Sequence, residues 1–130
     1  MKTHSISRVI RFVLVGSCAA AVHLGIVMLL VKQFFWNPIL ANPVAWLIAF
    51  GVSFCGHWLL TFKDREKKIR SSFLRFFGVS AAGFLVNEVS YVMLLRTTSI
   101  GFDVILFFVL ISVAIATYFL SSLWAFASKH

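Results

Sequence analysis

Four long apolar stretches that contain almost no charged residues most constrain what this chain can fold into. Of its 130 residues, 61% are hydrophobic and only 12% are charged, whereas soluble domains carry about one quarter charged residues. Each stretch approaches the roughly 20 apolar residues that a helix needs to cross a hydrocarbon core, and none alternates like an outer-membrane strand. The sequence therefore predicts an all-α integral membrane protein with four transmembrane helices, at 12–31, 42–62, 76–95 and 104–127.

The cationic residues fall unevenly between the two sides of such a four-helix chain. Ten of the 12 lie before the first stretch, in the basic loop 63–75 or at Lys129, and only Lys32 and Arg96 lie on the opposite side. Because loops rich in Lys and Arg stay in the cytoplasm, the chain is predicted to have both termini and the basic loop inside. The Lys and Arg residues that give the chain its net charge of +8 flank the apolar segments. We therefore expect anionic lipids as partners and no nucleic acid.

The sequence repeats itself weakly at an offset of 64 residues without a gap. This predicts a single membrane domain, 1–130, built from two helical hairpins: repeat 1 at about 7–62 and repeat 2 at about 71–126. Each hairpin crosses twice and enters from the same side, so the repeat is parallel, with its axis near the membrane normal. The matching residues in the first copy are Ser7, Arg11, Phe12, Val15, Val22, Leu30, Leu59 and Phe62, which align with Ser71, Arg75, Phe76, Val79, Val86, Leu94, Leu123 and Phe126.

Three ionisable residues lie within the predicted helices, where charge is costly and often functional. His23 and Glu88 each lie about a dozen residues beyond the helix start, or roughly 18 Å, near the membrane midplane. Asn87, next to Glu88, aligns with His23 in the repeat. Each residue also has a structural interpretation: a protonated acid bonded to a neighbouring helix for Glu88, a neutral packing side chain for His23, and an interfacial side chain for His57.

Arg11 and Arg75 are predicted to open helices 1 and 3 at equivalent positions of the repeat. A helix N-terminus carries partial positive charge and unpaired N–H groups, so both arginines are candidates for holding a lipid phosphate. The alternative is that they serve only topology and headgroup contact.

No pattern in the chain predicts an enzyme, a metal site or a cofactor. There is no phosphate-binding glycine loop, no metal-ligand spacing and no carboxylate pair placed for acid–base catalysis. Cys18 and Cys55 fall inside predicted helices and are interpreted as small hydrophobic residues. Ser17, Ala21 and Gly25 recur every four residues, a spacing that favours close helix packing.

Several short motifs are spread over nearly the whole chain: Arg11-Phe12-Val13-Leu14-Val15-Gly16, Asn42 to Ala45, Ser53-Phe54 with Thr61-Phe62, and Arg75-Phe76. Together they resemble the GtrA-like family. The resemblance implies the same four crossings and basic middle loop, and it adds Asn42 to the candidate substrate-binding residues. The chain departs from the family pattern at His23 and at His57-Trp58.

The resemblance implies movement of an undecaprenyl-phosphate-linked monosaccharide across the bacterial inner membrane, beside a membrane glycosyltransferase. Arg11 and Arg75 would attract the phosphate, while His23, Asn87 and Glu88 would bind the sugar. Without an ATP site, movement would follow a gradient or be coupled to protons. We also expect a homodimer or a larger complex, since four short helices enclose little interior.

The sequence leaves two alternatives to the transport of a lipid-linked sugar. One is a non-transporting scaffold that recruits a glycosyltransferase through the basic loop. The other is a small multidrug exporter, which the sequence disfavours because proteins of that kind carry their Glu in helix 1, whereas Glu88 lies in helix 3, and dual-topology members lack a ten-to-two charge bias.

Overall fold

The computed structural model describes residues 2–61 and 69–125, with side chains described over 6–60, at 70 and over 73–116. Within these ranges the chain forms four α-helices: α1 (Lys2–Lys32), α2 (Pro38–Gly56), α3 (Ile69–Thr97) and α4 (Phe102–Ala125). A π-helical segment, His57–Thr61, continues α2. Part of the predicted charge bias lies outside the described residues, namely Lys63, Arg65, Lys67, Lys68 and Lys129.

The helices have the lengths and compositions of membrane-spanning segments. Three spans, Ile6–Lys32, Pro38–Leu60 and Phe73–Thr97, are long and apolar enough to cross a bilayer, and Phe102–Ala116 is a shorter apolar helix among the described residues. Most large apolar side chains on the outer faces of these helices are exposed, as expected where lipid is the solvent. The all-helical fold with membrane-length helices is thus confirmed, while the fourth crossing, the repeat and the orientation stay predictions.

Helix contacts define the two ends of the bundle. Each helix packs against its neighbour in the chain, and α1 also packs against α4. At one end, here the arginine end, Arg11 of α1 contacts Leu60 of the π-helical segment. At the other, the short-loop end, Lys32 of α1 lies 3.5 Å from Asp103 of α4. The helices therefore run up and down, and the partly exposed Lys32–Asp103 pair contributes little to stability.

The hydrophobic core joins all four helices near the short-loop end. Small Ala41 and Ala45 on α2 are fully buried and leave room for larger neighbours. Beyond Val109, no described side chain of α4 up to residue 116 is buried. The buried members of this core are Val27, Ala41, Ala45, Tyr91, Ile105, Leu106 and Val109.

Aromatic side chains pack along the α2–α3 contact. Trp46 stacks on Phe84 with ring centroids 4.7 Å apart and donates a hydrogen bond to Ser80. Phe50, which is 8% exposed, meets Phe73 edge-on at 5.5 Å. Offset and edge-on pairs of this kind add to the contribution of buried area, so this seam holds α3 beside α2.

The helices begin earlier than the apolar pattern predicts. α1 begins at Lys2 and α3 at Ile69, so Arg11 and Arg75 lie well inside their helices. The prediction that they stand at helix N-termini is wrong, because polar residues outside the hydrocarbon region can extend a helix beyond its apolar part. For the same reason, residues 69–75 of the predicted basic loop are helical.

The start of α2 also differs from the prediction. Asn37, whose side chain accepts a 2.8 Å hydrogen bond from the Ile39 N–H, caps the helix, and Pro38 occupies its first turn. This is the arrangement in which proline is best tolerated. Asn42-Pro43, predicted to open the helix, therefore lies inside it, and Asn42 is fully buried.

The small-residue stripe of α1 is not buried against the part of the chain that the structure describes. Ser17, Ala21 and Gly25 are all exposed, so this prediction is wrong for contacts among the described helices. The buried stripe of α1 instead consists of residues two positions away: Val15, Ala19, His23 and Val27. A period of four does not distinguish one face of an apolar helix from another when every face is apolar.

Candidate functional site

Four polar side chains meet at the centre of the bundle, and together they are called the central cluster: His23 of α1, Asn42 of α2, and Asn87 and Glu88 of α3. His23 is 4% exposed, Asn42 0% and Asn87 3%, while Glu88 is half-buried. Buried polar groups need partners, and here they find them in one another across three helices.

Asn42 is the hub of the central cluster. Its Nδ2 group donates to Asn87 Oδ1 at 2.9 Å and to Glu88 Oε2 at 2.5 Å. Its Oδ1 faces His23 Nε2 at 2.6 Å. Because an amide oxygen only accepts, the Nε2 of His23 carries a proton and donates. One amide thus uses its oxygen and both of its N–H groups inside the protein.

Local helix geometry places these side chains at one level. His23 occupies the buried stripe of α1, and Asn87 and Glu88 are neighbours on α3. Asn42 lies between buried Ala41 and Ala45 on the face of α2 that meets the core. The expectation from helical rise, that His23 and Glu88 lie at similar depth, agrees with their joining through a single side chain.

Glu88 is the most accessible member of the central cluster. It is half-buried, whereas the other three are buried. Its neighbours Val89 and Leu85 are 66% and 64% exposed, so α3 presents this part of its surface outside the bundle. A polar ligand approaching the cluster from that side would meet the carboxyl group of Glu88 first.

The phenylalanines of the two Arg-Phe pairs of the repeat meet around His57 at the arginine end. Phe12 stacks on the imidazole ring of His57 at 4.7 Å, and Phe76 meets the same ring at 5.6 Å, steeply inclined. His57 is 5% exposed. The structure therefore places His57 in an aromatic packing environment, 15 residues after Asn42 along α2 and its π-helical extension.

Arg11 and Arg75 differ in their surroundings. Arg11 donates to the Leu60 carbonyl oxygen at 2.9 Å and to the Ser7 hydroxyl at 2.9 Å, so it ties α1 to the end of the π-helical segment. Arg75 is exposed and makes no hydrogen bond to a described residue. Of the two predicted phosphate ligands, Arg75 has the guanidinium group that is open to a ligand.

The seven candidate residues thus fall into two groups. The structure gathers His23, Asn42, Asn87 and Glu88 at the centre and places Arg11 and His57, with Phe76 beside Arg75, at the arginine end. Residue-level reasoning missed Asn42, because an Asn-Pro pair indicates a turn or a helix start. Only its place in a family motif pointed to it.

The described residues contain no group of three or more His, Cys, Asp or Glu side chains that could hold a metal ion. Cys18 and Cys55 are free and exposed on their helices. The central cluster has hydrogen-bond donors and acceptors and one carboxyl group, a set that suits a ligand rich in hydroxyl groups.

One protein-family model, described as GtrA/DPMS, transmembrane domain, matches residues 11–126. The match begins at Arg11 and includes every candidate residue named above. No curated protein and no solved structure shows significant similarity to the chain.

Proposed function

Since the chain belongs to the GtrA/DPMS transmembrane domain family, we propose that it moves an undecaprenyl-phosphate-linked monosaccharide across the bacterial inner membrane. The lipid would come from a membrane glycosyltransferase on the cytoplasmic side. The proposal includes no bond-making or bond-breaking step, so the protein would not be an enzyme.

The central cluster is the observation that supports this proposal. A sugar has many hydroxyl groups, and moving it through hydrocarbon without partners is prohibitively unfavourable. His23, Asn42, Asn87 and Glu88 offer amide, imidazole and carboxyl groups in the middle of an apolar bundle. These groups hydrogen-bond to one another in the structure. If those hydrogen bonds are exchanged for hydrogen bonds to sugar hydroxyls, the polar groups of both the protein and the sugar keep partners throughout the passage.

The arginine end supplies the second part of the proposal. An exposed Arg75 can form a paired, charge-assisted hydrogen bond to a phosphate oxygen pair. The polyprenyl tail needs no enclosed site, because it is as apolar as the lipid around the helices. We therefore assign the first contact with the phosphate to the arginine end, taken as cytoplasmic. The sugar would meet the central cluster at a later stage of the passage, since Glu88 lies 13 residues after Arg75 on α3.

Reconstitution in liposomes tests the proposal. The purified protein is incorporated with a fluorescent polyprenyl-phosphate monosaccharide, and an impermeant quencher reports which leaflet holds the label. Wild-type protein should speed exchange between leaflets. Combining Glu88→Gln with His23→Ala should slow it at least tenfold, because two of the four polar groups are altered. Asp103→Asn is the matched control and should leave the rate unchanged, since Asp103 lies at the short-loop end.

Two outcomes would contradict the proposal. Exchange rates that are the same with and without wild-type protein would exclude transport of this lipid. Unchanged rates in the Glu88→Gln, His23→Ala protein would show that the sugar does not pass through the central cluster. A protein that fails to move lipid but still co-purifies with a glycosyltransferase would favour the scaffold alternative.

A further inference from the structure

Tyr91 carries a buried hydroxyl group that the rest of the fold does not explain. The residue is fully buried, and its hydroxyl has no hydrogen-bond partner among the residues that the structure describes. Its ring belongs to the hydrophobic core, with Val27, Leu106 and Val109 among its neighbours. Phenylalanine would fill the same space without leaving a polar atom unpaired, which is unfavourable in an apolar interior.

Tyr91 lies on the same helix as two members of the central cluster, one turn away from them. Tyr91 lies three residues after Glu88 and four after Asn87 on α3, so all three lie on one side of the helix. Large side chains on a helix lean toward its N-terminus, which for Tyr91 is the direction of the cluster.

Tyr91 therefore lies between the central cluster and the short-loop end. A head group that left the cluster toward the short loops would enter the hydrophobic core, where Ala41, Ala45 and Leu106 are buried and apolar. Within that core, the Tyr91 hydroxyl is the one buried polar side-chain atom without a partner among the described residues.

We infer that the Tyr91 hydroxyl binds a hydroxyl group of the sugar during passage, as the next hydrogen-bonding position beyond the central cluster. This inference rests on the proposed function and adds a residue to its path. Because Tyr91 is enclosed in the structure described here, the contact forms when the core near the short-loop end opens. The bond serves the moving head group, so it affects the rate of crossing more than the binding of the lipid at the start.

The test compares wild-type protein with Tyr91→Phe in the liposome assay. We expect the maximal rate for the fluorescent polyprenyl-phosphate monosaccharide to fall at least tenfold, with the half-saturating lipid concentration within about twofold of wild type. Sugar-free polyprenyl phosphate, added as a competitor, should inhibit both proteins at the same concentration. The unfolding temperature of Tyr91→Phe in detergent should be equal to or above that of wild type, because an unpaired hydroxyl is removed.

An unchanged maximal rate in Tyr91→Phe would overturn the inference and leave the proposed function intact, as long as the wild-type protein moves the lipid. A lower unfolding temperature, or a shift in the competitor's inhibitory concentration that matches the loss of rate, would also overturn it, because Tyr91 would then act through structure. If the wild-type protein moves no lipid, the proposed function fails and this inference fails with it.

Discussion

Arg11 and Arg75 occupy equivalent positions in the predicted repeat, yet they have different surroundings in the structure. Arg11 bonds to Ser7 and to the carbonyl of Leu60, which lies in the π-helical segment. Arg75 is exposed on α3. These surroundings predict a structural role for Arg11 and leave Arg75 as the candidate ligand for a phosphate.

Parallel substitutions of the two arginines test this division. Arg11→Gln should lower the free energy of unfolding by about 1 kcal/mol, because charge-assisted bonds between two elements are lost. Arg75→Gln should leave stability within about 0.5 kcal/mol, as is usual for exposed positions, but weaken binding of polyprenyl phosphate. Denaturant titration in detergent and a lipid-binding assay measure the two effects.

The opposite pattern would contradict the assignment. Lipid binding that is lost with Arg11→Gln at full stability, and kept with Arg75→Gln, would place the phosphate at Arg11. Equal losses of binding in both variants would mean that the two arginines hold the phosphate together, as their equivalence in the repeat suggests.

Residue-level prediction succeeded where helical rise alone decides the answer. His23 and Glu88 were placed at one depth by counting residues from Arg11 and Arg75, and the structure joins them through Asn42. The prediction failed for Asn42 itself. The residue before a proline favours extended backbone, so Asn42 was expected at the helix start. Counting residues does not reveal that Asn37 already caps the helix.

At the scale of elements, the contact between α1 and the end of α2 depends on a glycine. A Cβ atom added at Gly56 would lie only 2.6 Å from Val15 Cγ1, and Val15 is buried. Both atoms lie near the helix backbones, so neither can move away cheaply. The close approach of the two helices positions the π-helical segment that Arg11 and Phe12 contact.

Gly56→Ala is therefore expected to destabilise the protein by about 1–3 kcal/mol through overpacking. Gly51→Ala is the matched control, because nothing lies within 4 Å of a Cβ atom there, and alanine should stabilise that helix by about 0.5–1 kcal/mol. Adding Val15→Ala to Gly56→Ala should recover most of the loss. Thermal unfolding in detergent measures all three, and equal effects of the two glycine substitutions would contradict the close contact.

Helix pairing was harder to predict than helix number. Apolar stretches mark the four helices because charge is excluded from hydrocarbon. They do not indicate which face packs, since lipid-facing and core-facing residues are equally apolar. On α1, the small-residue stripe that includes Ser17 is exposed, and the stripe that includes His23 is buried. Only the polar side chain of His23 indicated which stripe faces the bundle.

At the scale of the whole molecule, the bundle is packed differently at its two ends. The hydrophobic core with Tyr91 and Leu106 joins all four helices near the short-loop end. At the arginine end, aromatic rings around His57 and Phe50 connect α1, α2 and α3, and the described part of α4 beyond Val109 contributes no buried side chain. The central cluster lies between these two regions.

This arrangement agrees with a site approached from the arginine end and closed toward the short loops. A head group would reach Glu88 and Asn42 before it meets the core, and passage would require the core to open. On the proposed function, the hydrogen bonds of the Asn42 amide, which link three helices, are exchanged for hydrogen bonds to the sugar.

Asn42→Ser, compared with Asn37→Ser, is the most direct measurement of that claim. The same substitution removes the hub at one position and keeps a favourable helix cap at the other. In the liposome assay, Asn42→Ser is expected to move the fluorescent polyprenyl-phosphate monosaccharide at least tenfold more slowly than wild type, and Asn37→Ser at the wild-type rate. Wild-type rates in a folded Asn42→Ser protein would contradict the account.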